Sequence, residues 1–177
     1  MRPTILFAAV LSLLVAPLTA QAGRLDIAVM QFTDKRDPEA MAAALREIDL
    51  VKITDSDRTE TSVPALRGGW VVFTQSIGVN PGGQFASSTR LTNQRADVSG
   101  SLNGSNLSVK ISILEGVKVG LRKYTENTYE GSGSVAGGVP QLVGIRQTKN
   151  KTQTAIKGRT TITYMNFTTI IAARYVP

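Results

Sequence analysis

The residues that could do chemistry are few and of few types. The 177-residue chain has no His and no Cys. Without them the usual nucleophile–base pairs and the common zinc and copper sites cannot be built. Any enzyme would have to work with carboxylates, Lys, Tyr or Ser. Asp97 and Glu115 are the only acids between residues 61 and 115, and two facing carboxylates are the apparatus of glycoside hydrolysis. They fall on or near opposite strands of one hairpin, a placement that any two acids reach by chance. Asp55, Asp57 and Glu60 invite calcium, but the spacing lacks the glycine turn and the distal bidentate Glu of an EF-hand loop, so residues 54–62 read as a solvated loop. Gly131-x-Gly133 has no strand-to-helix context and is not a dinucleotide fingerprint. No catalytic, cofactor or metal residue is assigned, and a non-enzymatic protein is expected.

The ends and the charge point to a compartment. Arg2 followed by the apolar run 5–18 and by Ala20-Gln21-Ala22 reads as a secretory signal peptide over 1–22, cleaved after Ala22. The run is too short for a good membrane span, no second run of spanning length occurs, and no transmembrane helix is expected. The mature part, 23–177, amounts to a single domain able to bury a core. Small exported eukaryotic domains usually rely on disulfides, so a cysteine-free exported chain reads as bacterial, from the periplasm or the outer membrane. The formal net charge is +7. Residues 24–60 hold nine acids and six bases, whereas 61–177 hold four acids and thirteen bases. That excess suits an acidic envelope partner or a solvated β surface with lysine-guarded edges. Nucleic acid is not indicated, because the aromatics are not interleaved with the basic residues.

The elements that would position these groups are mostly strands. Residues 25–32 alternate, with Leu25, Ile27 and Val29 on one face. Asp37 then Pro38 is a helix start, a capping carboxylate followed by Pro at the first helical position. Met41, Ala44, Leu45 and Ile48 make one apolar stripe, predicting an amphipathic helix over 38–50 whose stripe packs on the sheet. Trp70–Ile77 reads as a strand. Residues 84–98 read as a polar strand pair, exposed or covered by a partner. Asn103-Gly104 is the best hairpin turn, of the type I′ dipeptide. Leu107, Val109, Ile111 and Ile113 alternate with polar residues in a half-buried strand. Residues 130–138 are rich in Gly and Ser and read as flexible. A hairpin follows, turning at Lys157-Gly158-Arg159. Its second strand, 160–173, is apolar on both faces, with Ile162, Tyr164 and Ile170 on one, and Met165, Phe167 and Ile171 on the other. The expected fold class is mainly β, an antiparallel sheet or sandwich with one N-terminal amphipathic helix, formally α+β.

From Asp49 to Ile162 the order of parts resembles the C-terminal core of the bacterial secretin family, the outer-membrane rings of type II and type III secretion and of type IV pili. A strand with a glycine turn stands at residues 59–76. A long hairpin follows over 95–114 with its glycine at 104. A Gly/Ser-rich stretch then leads through Gly138-Val139-Pro140 to the Thr-rich strand and glycine turn Thr152-Gln153-Thr154-Ala155-Ile156-Lys157-Gly158. The chain departs from the family where Thr160-Thr161-Ile162-Thr163-Tyr164 stands in place of Gly-Gly-Leu. The resemblance implies a component of a secretion or pilus-type assembly, with protein partners in the envelope, a second copy of the chain among them, and association with the outer membrane. The two-faced last strand then makes Met165, Phe167 and Ile171 the candidate interface, since a contiguous exposed apolar patch marks a contact surface. Two alternatives stay open: a soluble ligand- or carbohydrate-binding β domain, and a small outer-membrane β-barrel.

Overall fold

The computed structural model describes residues 23–50, 63–80, 82–91, 94–119, 121–156 and 159–177. The expected signal peptide and the acidic loop 54–62 lie outside the described residues. The chain runs β1 (Gly23–Phe32), α1 (Pro38–Leu45), β2 (Trp70–Val79), β3 (Gly83–Leu91), β4 (Gln94–Asn103), β5 (Asn106–Val119), β6 (Leu121–Ser134), β7 (Gln141–Ile156) and β8 (Arg159–Val176). The strands form two four-stranded sheets, in the orders β2-β1-β8-β7 and β3-β4-β5-β6, with every pairing antiparallel. Among the described residues the molecule is thus mainly antiparallel β with one α-helix.

Alternation decides which face each strand buries. Leu25, Ile27 and Val29 of β1, Ile171, Ala173 and Tyr175 of β8, and Phe73, Ile77 and Val79 of β2 point towards the second sheet. There they meet Val98 and Leu102 of β4 and Leu107, Val109, Ile111 and Ile113 of β5. The opposite face of the first sheet is apolar as well. Ala28, Met30, Phe32, Ile170 and Ala172 pack under Met41, Ala44 and Leu45 of α1. The layers are therefore helix, sheet, sheet, and β1 and β8 are covered on both sides. The outer face of the second sheet stays polar, with Ser99, Ser108 and Lys110 exposed. An apolar interior under a polar surface is the reverse of an eight-stranded outer-membrane barrel, so the body does not support that reading.

Three local expectations need correction. The helix ends at Leu45, not Leu50. Past it the amides of Arg46, Glu47 and Ile48 reach back three residues, to the carbonyls of Ala43, Ala44 and Leu45. Such tightened bonds close a last turn rather than propagate an α-helix. The apolar stripe still works, since Ile48 and Leu50 complete the helix-side core. At the β4–β5 turn Asn103 pairs with Asn106, so the two-residue loop is Gly104-Ser105. Gly104 has φ +61°, so the glycine stands at the first central position, where both primed hairpin turns need a positive φ, and not at the second as the Asn103-Gly104 dipeptide implied.

The third correction concerns 130–138. Residues 130–134 belong to β6, Val135 is buried, and its amide bonds to the Ser105 carbonyl at 2.9 Å. The glycines serve close approach instead of flexibility. A Cβ at Gly131 would lie 2.4 Å from the Val143 carbonyl oxygen, which no side chain can do. The glycine gap lets β6 lie directly against β7 and closes one side of the sandwich. Val143 is the extra residue of a bulge in β7, between Leu142 opposite Ala172 and Gly144 opposite Ile171. The bulge turns it into the inter-sheet core.

The helix start is as expected. Asp37 accepts a hydrogen bond from the Ala40 amide at 2.8 Å, with Pro38 at the first helical position. Asp37→Ala is expected to lower unfolding free energy by about 1 kcal/mol, read from urea denaturation, while Asp37→Asn keeps most of it.

Candidate functional site

Two hairpins outrun their sheets. The last pairing of β1 with β8 is Phe32 opposite Thr168. Before Thr168, β8 pairs among the described residues only with β7, down to Ile156 opposite Arg159. That leaves residues 159–167 on a two-stranded arm of about 30 Å at ordinary strand rise. In the second sheet the last pairing of β4 with β5 is Gln94 opposite Glu115. Beyond it β5 pairs among the described residues only with β6, through Val119 opposite Leu121.

Both arms leave the body at the same end. Gly133 and Gly131 of β6 stand against Val143 of β7, and the Arg146 guanidinium donates to the Thr128 carbonyl. As β6 numbers fall, β7 numbers rise, so the two tips lie in one direction. The arm on β8 is exposed on both faces from Thr160 to Asn166. Ile162 (46 %), Tyr164 (56 %) and Met165 (42 %) are among the most exposed large apolar side chains described. The Lys149 ammonium lies 4.6 Å from the centre of the Tyr164 ring, a cation–π contact across the arm.

The root of this arm is clamped. The Thr168 hydroxyl, fully buried, donates to the Asp34 carbonyl at 2.7 Å and accepts from the Arg36 amide at 3.0 Å. Gln147 of β7 donates to the Arg36 carbonyl at 2.7 Å. The Arg36 guanidinium binds the carbonyls of Ala65 and Arg67 and the Asp34 carboxylate. A sequence reading sees in residues 34–37 only the break after a strand and, at Asp37, the cap of a helix. That they hold the arm is set by partners 111 to 134 positions away in the chain.

Between the roots the sheets leave a cleft of about 430 Å³, lined by Trp70, Phe167, Tyr129, Gln94, Glu115 and Asn127 among others. Trp70 and Phe167 meet edge to face with ring centres 6.5 Å apart. Gln94 donates to the Glu115 carboxylate at 3.2 Å. Burial, and then the Glu115 charge, push the Tyr129 phenol above its ordinary pKa, with Arg146 pulling the other way.

The three candidate interface residues separate. Met165 is exposed on the arm, and Phe167 is half-buried against Trp70 at the root. Ile171 is 2 % exposed, in the core between the sheets. Ile171 is therefore withdrawn as an interface residue: β8 crosses from arm to body between Phe167 and Thr168, and beyond that point the second sheet covers one of its faces and the helix layer the other. The carboxylate pair does not assemble either. Asp97 alternates with the buried Ala96 and Val98 and faces outward, 3.0 Å from Arg95. Glu115 lines the cleft on the inner face. A hydrogen bond from Ser88, and after it Arg95, hold the Asp97 carboxyl below its ordinary value. Among the described residues no three metal-ligating side chains lie together, and no helix is long and apolar enough to cross a membrane.

No protein-family model matches the chain, and no curated protein matches its sequence. Among solved structures the chain is similar to ExeD of Aeromonas hydrophila, at 9 % identity and a TM-score of 0.34, over 88 % of this chain and 47 % of that one.

Proposed function

We propose that the protein is an exported, non-enzymatic component of a bacterial envelope assembly of secretion or pilus type, secretin-like in the order of its parts. Its arms pair edge to edge with those of neighbouring copies. The carrying observation is the pair of free edges. On the arms β5 runs outward and, among the described residues, lacks a second neighbour beyond Glu115, while β8 runs inward and lacks one before Thr168. The two edges are antiparallel, so β5 of one copy and β8 of the next form a regular ladder. Because the contact is head to tail, it closes into a ring when the rotation between copies allows. An unpaired strand edge is otherwise a liability that soluble monomers blunt.

Cell fractionation followed by sizing of the mature chain tests this reading. The expected result is a large envelope-associated species. Met165→Asp is expected to leave the circular dichroism of the monomer unchanged, since Met165 touches solvent. It is expected to weaken the assembly by at least tenfold, since it puts a bare charge into the contact. A wild-type chain that stays monomeric at every accessible concentration, envelope extract included, overturns the proposal.

The cleft favours a second reading, a ligand-binding β domain, because an aromatic-walled polar cleft of this size suits a small polar ligand. A soluble monomer whose single tryptophan, Trp70, changes emission on adding an oligosaccharide supports that reading instead.

A further inference from the structure

The cleft between the two roots is rich in acceptors and poor in free donors. Gln94 spends its amide nitrogen on the Val72 carbonyl at 3.4 Å and on Glu115 at 3.2 Å. Gln31, which also lines the cleft, spends its amide nitrogen on the Thr169 hydroxyl at 3.2 Å. Each glutamine is left with an amide oxygen to offer a ligand. Glu115 can only accept while ionised, and among the described residues it is the one charged side chain in the lining. Among those residues it also has no ion-pair partner. Arg146, whose charge reaches Tyr129, donates to the Thr128 carbonyl and does not line the cleft.

The walls complement those acceptors. The Trp70 and Phe167 rings stand nearly perpendicular, at 87°, with centres 6.5 Å apart, and Tyr129 lines the same space. Aromatic rings carry negative faces, which attract a cation, more strongly where water is displaced. A neutral sugar would use the rings but strip water from the Glu115 carboxylate without matching its charge, which costs free energy. An ammonium or guanidinium group answers both the rings and the carboxylate. The whole chain carries a formal +7, so its overall field repels cations, and affinity for one has to come from the cleft itself.

We propose that this cleft binds a small organic cation through an ammonium or guanidinium group, held by Glu115 against the Trp70 and Phe167 rings. This rests on the ligand-binding reading of the cleft and narrows its ligand from polar to cationic. A volume of about 430 Å³ suits one such head on a short chain.

The test is titration of the emission of Trp70, the only tryptophan of the chain, with N-acetylarginine amide and with N-acetylcitrulline amide, its neutral isostere. Saturable binding of the arginine compound is expected, on the order of tenfold tighter than the citrulline compound, and weakening as salt is raised. Glu115→Gln keeps the shape and an acceptor for Gln94, and is expected to abolish that preference. Should it lose its circular dichroism, Phe167→Leu provides a second test: it removes one ring, keeps an apolar wall, and is expected to weaken the arginine compound several-fold. Asp97→Asn, which removes an acid from the outer face of the same sheet, is expected to bind as wild type. Equal binding of the two compounds by wild type, or equal losses from Glu115→Gln and Asp97→Asn, overturns the proposal. An oligosaccharide that shifts Trp70 emission where the arginine compound does not also overturns it, while leaving the cleft a site for neutral ligands. Silence of Trp70 towards both overturns the ligand-binding reading together with the proposal, so the two failures are distinct.

Discussion

Replacing Ile111 with aspartate is expected to unfold the protein. Ile111 is fully buried, midway along β5, with Val98 opposite it on β4 and Tyr129 opposite it on β6. Its side chain projects into the core shared by both sheets. A carboxylate there has no cation within the apolar cluster to pair with and must either stay charged in a low-dielectric interior or take up a proton. Either way the cost is on the order of several kcal/mol, against a total stability of about 5–15 kcal/mol for a domain. Loss of the cooperative urea transition is the expected readout. Ile111→Val removes one methylene and is expected to cost about 1 kcal/mol. An aspartate variant as stable as wild type would place this face of β5 in solvent and remove the basis for the sandwich.

Most of this fold is legible in the strand pattern of the sequence. Leu107, Val109, Ile111 and Ile113 alternate because one face of β5 is core and the other is water. The same rule places Leu25, Ile27 and Val29 on the inter-sheet face. It under-describes β1, where Ala28, Met30 and Phe32 are buried too, because strands covered by a helix on one side and a sheet on the other lose their alternation. Stretch 130–138 misleads for a physical reason. Glycine reads locally as freedom, yet at Gly131 it is demanded by the Val143 carbonyl, a neighbour that no local window contains.

The candidate site is legible in part. The two apolar faces of 160–173 are visible in the sequence, but they have two different causes. The strand divides at Thr168: the C-terminal part is apolar on both faces because two cores meet there, whereas none of the described residues covers the N-terminal part. Hydrophobicity cannot tell these apart. The information lies in where β1 stops pairing, at Phe32, and that depends on the length of a strand 136 positions earlier. The clamp of Thr168, Gln147 and Arg36 is hidden for the same reason, since each partner is an ordinary polar residue in its own neighbourhood.

Acidification is expected to loosen the molecule at the end opposite the arms, through Asp26. This carboxylate is buried on the helix side of β1. It accepts hydrogen bonds from the Ser76 hydroxyl at 2.6 Å and from the Arg174 guanidinium at 2.8 Å, with Arg24 3.0 Å away. Arg174 in turn reaches Asp49 at 3.2 Å, tying the chain beyond α1 to β8. Burial alone would raise the pKa of Asp26. The Ser76 hydrogen bond, the Arg174 hydrogen bond and the charges of Arg24 and Arg174 outweigh it, and the carboxyl is held below its ordinary value. A group whose pKa is depressed by folding stabilises the native state above its unfolded pKa, roughly 3.9, and loses that contribution as pH falls through the folded value. The Asp26 contribution is therefore expected to be complete at neutral pH and to fade below about pH 4. Asp26→Ala strands the largely buried Arg174 between its partners and leaves the Ser76 hydroxyl without its acceptor. Breaking one side of such a pair costs about 2–4 kcal/mol, below the figure for a fully enclosed pair because Arg24 and Asp49 remain half-exposed. Asp26→Asn keeps the shape and the acceptor from Ser76 but not the charge, and is expected to fall between the two. The pH profile separates this account from simple packing: stability of wild type and Asp26→Asn should converge as pH falls towards 3, whereas a packing defect would hold a constant gap at every pH.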